Sequence, residues 1–457
     1  MQQVALIGAG DRGQVYTDLL KTMAPDLRIN AVAEPRDARR HRFSDTHGIP
    51  DAMQFRDWPS LLDALDEGPE QAVIVATGDH LHVEPACTAL SRGHHVLLEK
   101  PMAPDRSGIV RVQEAAREAG RRGGSLTVCH VLRYDPLFRY VRQMLDKNAV
   151  GDVVSLYHAE NVAWYHMAHS FVRGQWRDSK KSSPMILAKS CHDLDLLCWF
   201  AGSPPSSVSA TAARTVFTAS RAPHGAPERC TDGCPVAPTC RYEAVKMYRD
   251  GLPIKQALAR GRDARAFAVR FMLRFPGLAR RLPVLARYTP WPEWPTRTIS
   301  DDLSPTGILR ALEHESYGRC VYRSDNDQPD HLEAAIRFSS GVGASFRMHG
   351  QSSEEGRTLR IDGTEGTLHA RFGRINEVSV HRHGERRVVT RRFPSPGVGH
   401  STADRALIET WVRILRGQQA AEPADLAVNS HMLALATHEA TQTSRVVPIT
   451  QTRAGRT

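Results

Sequence analysis

No run in this 457-residue chain approaches the roughly 18 consecutive apolar residues that a membrane-spanning helix needs. The N-terminus, MQQVALIGAG, has no basic segment ahead of an apolar core, so no secretory leader is expected and the cytoplasm is the expected compartment. Cysteine is sparse, with eight residues in all. Cys87, Cys129, Cys191, Cys198 and Cys320 are scattered, which excludes a disulfide framework. Paired C-x2-C knuckles are also missing. Acidic residues nearly vanish between Gly251 and Ser300, where only Asp263 and Glu293 oppose ten Lys or Arg. That shortage puts +8 (ten minus two) of the formal +10 in one segment. No nucleic-acid motif accompanies it, so it reads as a solvated insertion with arginines over apolar surface, and no nucleic-acid partner is expected.

What remains is an ordinary globular composition, 41% hydrophobic and 24% charged, with length for two or three domains. VALIGAGDRG is an apolar strand followed by Gly8, Gly10 and Gly13 in G-x-G-x-x-G spacing, with Asp11 and Arg12 inside the turn. GQVYTDLLKTM then reads as a helix. Such a turn lets the backbone approach a pyrophosphate, which sits on the helix N-terminus. A second strand, INAVAE, ends in Glu34, placed to accept hydrogen bonds from a ribose. Glu34 favours NAD, since a carboxylate repels a 2′-phosphate; Arg36, Arg39 and Arg40 leave NADP open. Further strands at 71–77 and 94–100 flank a helix that Gly93 closes. The alternation predicts a doubly wound parallel sheet, with ligands at the carboxyl ends of its strands. Thr77, His80, Glu99 and Lys100 fall there.

A second signal is KSCHDLDLLCWF, Lys189–Phe200. Its second half is apolar; its first half packs Lys189, His192, Asp193 and Asp195 together. Charged groups are costly to bury unless paired or used. The spacing places Asp195 on the same helical face as His192. The polar half is expected to face a reaction centre and the apolar half the core. Cys230, Cys234 and Cys240 (CTDGCPVAPTC) are candidate ligands for a structural zinc, needing a fourth group from elsewhere.

GAGDRG, ATGDHLHVEPACTAL, GHHVLLEKPMA and VCHVLRYDPLF resemble the Gfo/Idh/MocA oxidoreductases, named for glucose–fructose oxidoreductase, inositol dehydrogenase and a rhizopine-catabolism protein. GDVVSLYHAE, IDGTEGTLHA and GHSTADRALIETWV extend the resemblance toward the C-terminus, while 211–315 looks like insertion. The resemblance implies a Rossmann domain over 1–128. It implies an α+β domain over 129–457 with an open, mostly antiparallel sheet that holds the substrate and often forms a homo-oligomer. The implied activity is hydride transfer to or from a secondary hydroxyl of a sugar, cyclitol or related small molecule. A redox-assisted, NAD-recycling glycosidase and a non-enzymatic dinucleotide sensor are the alternatives. By resemblance Lys100 is the EKP lysine, His192 the catalytic histidine and Asp195 its neighbouring aspartate. As general base, an imidazole with pKa near 6.5 suits the reaction.

Tyr134 is expected near the cofactor. Tyr165, His169, Arg173 and Trp176 are expected to form a sugar-binding wall, with Asp330 and His331 near the same cleft. The inositol-dehydrogenase pattern has an aspartate where Ala188 stands here. Lys189 follows it, suggesting an anionic substrate.

Overall fold

The computed structural model describes residues 2–261, 263–288, 290–394 and 401–450, though not the Ser401 side chain. It has two sheets. The first holds β1 (Gln3–Ile7), β2 (Arg28–Ala33), β3 (Gln54–Phe55), β4 (Gln71–Val75), β5 (His95–Leu98) and β6 (Ser125–Val128) in the order β3-β2-β1-β4-β5-β6, all parallel. Strands covered on both faces read as unbroken apolar runs, and every residue of QAVIV in β4 is buried. This is the doubly wound order, and its ligand crevice lies at the carboxyl ends of β1 and β4.

The second sheet has nine strands: β7 (Val153–Ala163), β8 (Pro205–Ala213), β9 (His331–Phe338), β10 (Gly343–Ser352), β11 (Gly356–Gly363), β12 (Gly366–Phe372), β13 (Asn376–Arg382), β14 (Val388–Phe393) and β15 (Val447–Pro448). All of its pairings are antiparallel except β7 with β10. β9 shows why one face is wet: Leu332, Ala334, Ile336 and Phe338 are buried, while Glu333, Ala335 and Arg337 between them are exposed. The buried face lies under the helices Cys191–Ala201 and Ala424–Thr443.

Two features tie the halves together. The helix Ser401–Leu415 returns to the first sheet, where Leu407, Ile408 and Trp411 join Val4, Leu6 and Tyr16 in one core. The helix Ala424–Thr443 packs against both β8 and the helix Arg106–Arg121. Between β8 and β9 the chain makes a long, mainly helical excursion that contains the basic segment. Its cations are distributed as the composition suggests. Lys255 lies 6.0 Å from the Trp291 ring, Arg274 and Arg287 sit over Phe275 and Tyr288, and Arg265 pairs with Glu293.

Candidate active site

The glycine turn joins β1 to the helix Asp11–Met23. Gly8 has φ +94°, and a Cβ there would stand 2.6 Å from the Ala76 carbonyl oxygen; one on Gly13 would stand 2.3 Å from that of Gly8. Both positions admit only glycine. At Gly10 a Cβ would meet nothing nearer than Arg39 Nη1 at 3.8 Å, which leaves the backbone open to a phosphate. Glu34 is buried, and its carboxylate accepts from the amides of Ala9 and Arg36, both at 3.1 Å. Each oxygen keeps a lone pair for a ribose hydroxyl. Arg40 is engaged with the Glu34 carbonyl and Asp37, while Arg39 stays 4.0 Å from Glu34. Asp11 and Arg36 are exposed beside the turn. These residues fit a dinucleotide.

Behind the turn, Glu99 accepts from Arg12 Nε at 2.7 Å and from the Tyr16 hydroxyl at 2.6 Å. Arg12 also donates to Asp404 at 2.6 Å. Burial alone would raise the Glu99 carboxyl, but Arg12, Lys100 and the Tyr16 bond hold it below its ordinary range. Its other oxygen accepts from the Lys100 amide at 2.8 Å, fixing the backbone from which the lysine projects. His82 clamps the same loop, with Nδ1 2.6 Å from the Pro101 carbonyl and Nε2 3.1 Å from that of Thr77. Thr77 is half-buried and His80 exposed at the end of β4.

Lys100 Nζ donates to the Ala188 carbonyl at 2.6 Å. The first domain's lysine therefore meets the run leading into the helix Cys191–Ala201. His192 lies in that helix, buried, its ring 5.9 Å from His130 and edge-on. Burial drives the His130 imidazole well below its ordinary pKa, with Arg133 and Lys100 adding to the effect, so it stays neutral. His431 is likewise lowered, to about 3, first by burial; it accepts from the Met102 amide at 2.9 Å.

Two expectations for this helix need correction. Asp195 is 1% exposed, and both its oxygens accept from Arg133, at 2.5 and 2.7 Å. It therefore anchors the helix rather than reaching substrate. Asp193 also turns inward, accepting from Arg357 Nε at 2.7 Å, with His158 Nε2 at 2.5 Å. A charge so deep needs a cation, and both arginines come from elements remote in sequence. Lys189 Nζ lies 3.8 Å from Glu160, its side chain 15% exposed.

The aromatic segment forms a short helix and a π-helical turn, Met167–Arg173. Arg173 is fully buried and donates to the carbonyls of Arg319 and Tyr242, so it cannot touch a sugar. His169 is buried between the Tyr248 hydroxyl and Thr298, each at 3.2 Å. Trp176 donates to Asp79 at 3.0 Å, at the end of β4. Tyr165 is buried, and Tyr134 packs against the first domain's core. Asp330 is spent on the amides of Thr215 and Val216, at 2.8 and 2.6 Å, and holds the exit of β8; His331 begins β9. Sequence reasoning passed over His166, whose Nδ1 lies 2.8 Å from Glu355. Burial, then the charge of Lys189 and to a smaller extent that of Lys100, keep its imidazole below the ordinary range against the opposing Glu355. His166 thus shares a neighbourhood with both lysines.

Cys230, Cys234 and Cys240 line one small cavity with Cys320 and Arg173. Among the described residues, however, no three His, Cys, Asp or Glu side chains are arranged to hold a metal ion, so the expected structural zinc finds no support. Nor is any described helix long and apolar enough to cross a membrane.

Residues 2–126 match a model described as an oxidoreductase family with an NAD-binding Rossmann fold, and residues 138–231 match the GFO/IDH/MocA C-terminal domain. Over these residues the chain is similar to the GFO/IDH/MocA oxidoreductases. An inositol 2-dehydrogenase of Streptomyces avermitilis is 29% identical over 206 residues, 45% of this chain and 55% of the relative. The chain thus spans about half the length of such curated relatives. A levoglucosan dehydrogenase in complex with NADH and L-sorbose superposes with TM-score 0.65 at 17% identity, covering 99% of this chain and 100% of that one. A scyllo-inositol dehydrogenase from Lactobacillus casei with NAD(H) and scyllo-inositol gives 0.62 at 17%, covering 98% and 99%. At this identity the structural likeness establishes the fold.

Proposed function

We propose that this chain is an NAD-dependent dehydrogenase of a secondary hydroxyl on a sugar, cyclitol or related polyol. The observation that carries this is the bond from Lys100 to the Ala188 carbonyl, which joins the dinucleotide domain to the run entering the His192 helix. Oxidising an alcohol requires an acceptor for the hydroxyl proton and a donor to hold the oxygen. His192 takes the proton. Lys100 donates to the oxygen and stabilises the negative charge that develops there. A bound nicotinamide supplies the hydride chemistry. Asp195 with Arg133, and Glu99 with Arg12, hold these two groups in place. Arg133 and Arg357 neutralise the buried aspartates, leaving Lys189 and His166 as polar groups for substrate.

The test is a panel of neutral polyols, uronic acids, sugar phosphates and aryl glycosides, read for reduced nicotinamide and for aglycone release. Stoichiometric NADH with one class of polyol is expected. Aglycone release without net NADH would overturn the dehydrogenase reading. If Lys189 reads an anionic group, Lys189→Ala should lower kcat/KM tenfold or more, about 1.4 kcal/mol, on acidic substrates only.

Cofactor choice follows from Glu34. Calorimetry is expected to show NAD binding at least tenfold tighter than NADP, because a 2′-phosphate would meet a buried carboxylate. The reverse order would mean that Arg36 or Arg39 recognises the phosphate.

A further inference from the structure

The excursion between β8 and β9 contains a segment, Trp291–Ile299, that reaches two places at once. On one side the Trp294 ring stands edge-on to His166 and His169, each at 5.1 Å, and the Thr298 hydroxyl lies 3.2 Å from His169 Nε2. On the other side Arg297 Nη2 donates to Gln14 Oε1 at 2.8 Å, across 283 residues of sequence. Gln14 lies in the first turn of the helix after the glycine turn, and its amide donates to the Ala9 carbonyl at 3.0 Å. The segment is firmly seated. Thr296 is fully buried with its hydroxyl on the Tyr248 carbonyl, and Trp291 is buried and bonded to the Trp294 carbonyl at 2.9 Å.

The charge balance around Arg297 is unusual. Among the described residues Arg297 forms no ion pair, and Glu293, four residues before it, pairs with Arg265 instead. Arg297 stands beside a helix N-terminus, itself the positive end of the dipole. Arg39 leans over the same turn, and its partner Glu34 is 4.0 Å away. Asp11, in the first turn of that helix, is exposed. Arg297, on Gln14, and Arg39, beside Gly10, both stand at the positive end of this helix, where an anion is favoured. A guanidinium is suited to bidentate contact with phosphate.

We infer that Arg297, carried by the insertion, binds the pyrophosphate of the dinucleotide, so that Trp291–Ile299 is a strap joining the cofactor turn to His166 and His169. The inference rests on the dehydrogenase reading and adds a ligand to its cofactor site. The experiment is calorimetry of the wild type, Arg297→Gln and Arg297→Lys with NADH, ADP-ribose and adenosine at two salt concentrations. Arg297→Gln should bind NADH and ADP-ribose at least tenfold more weakly, with a shallower salt dependence and unchanged adenosine affinity. Arg297→Lys should recover part of the loss. Unchanged NADH affinity in Arg297→Gln overturns the inference while leaving the dehydrogenase intact. An equal loss for adenosine reduces Arg297 to a fold contact and also overturns it. A wild type that binds neither NADH nor ADP-ribose removes both readings.

Discussion

Lys100→Met is expected to lose about 10²–10³ in kcat, the typical cost of removing one preorganised donor to a developing oxyanion. NAD affinity should stay within severalfold of wild type. On the proposed reading the dinucleotide is held by the open backbone at Gly10 and by the Glu34 carboxylate, at the ends of β1 and β2, and neither depends on Lys100 Nζ. Methionine keeps the aliphatic stem, so packing under the side chain survives. What disappears is the bond to the Ala188 carbonyl and the cation itself. Thermal unfolding should therefore move little while single-turnover hydride transfer collapses. Turnover close to wild type in a folded variant would remove Lys100 from the mechanism.

The second large effect is on stability. Arg357 is 6% exposed and bonds Asp193, 0% exposed, and Glu160, 1% exposed. Arg357→Ala leaves two buried carboxylates with only His158, Ser190 and the more distant Lys189 to offset them. Breaking a buried pair in this way costs about 3–5 kcal/mol. The loss should depend on pH. Burial and the Asp193 charge push the Glu160 carboxyl up to about 7, although Arg357 and Lys189 pull it down. A carboxyl raised in the fold binds more protons than the unfolded chain between about 4.3 and its folded value. Its stabilising share is complete below that window and is lost as pH rises through it. Removing Arg357 extends the window upward, so urea midpoints should fall more at pH 8 than at pH 5. Arg357→Lys should recover part of the loss. A flat pH response in the alanine variant would mean that the two carboxylates do not share this charge balance.

What was legible in the sequence was local. The glycine turn, Glu34 at the end of its strand and the EKP loop each lie within a few residues of the backbone feature that defines them. The π-helical turn was not legible, and the burial of Arg173 depends on Arg319 and Tyr242, which approach only through the excursion. The aspartates of the His192 helix were misread for the same reason. Their polarity suggested an open site, but Arg133 lies 62 residues from Asp195, and Arg357 lies 164 from Asp193. Arg12 and Asp404, 392 residues apart, could be paired only once the C-terminal helix was seen to return to the first sheet. The basic segment looked like solvated surface, and much of it is. Lys255 is the buried exception, and the bond of the exposed Arg297 to Gln14 could be found only in three dimensions.

Direct hydride transfer is the central claim, and isotope transfer tests it most directly. Protein loaded with NADH carrying deuterium at both C4 positions of the nicotinamide would be mixed with keto-sugars and keto-cyclitols, and the product alcohol examined by mass spectrometry. The account predicts one deuterium on the new carbinol carbon for each NAD formed, and none with Lys100→Met. Product alcohol without label, or labelled nucleotide recovered unchanged across the whole panel, would contradict it.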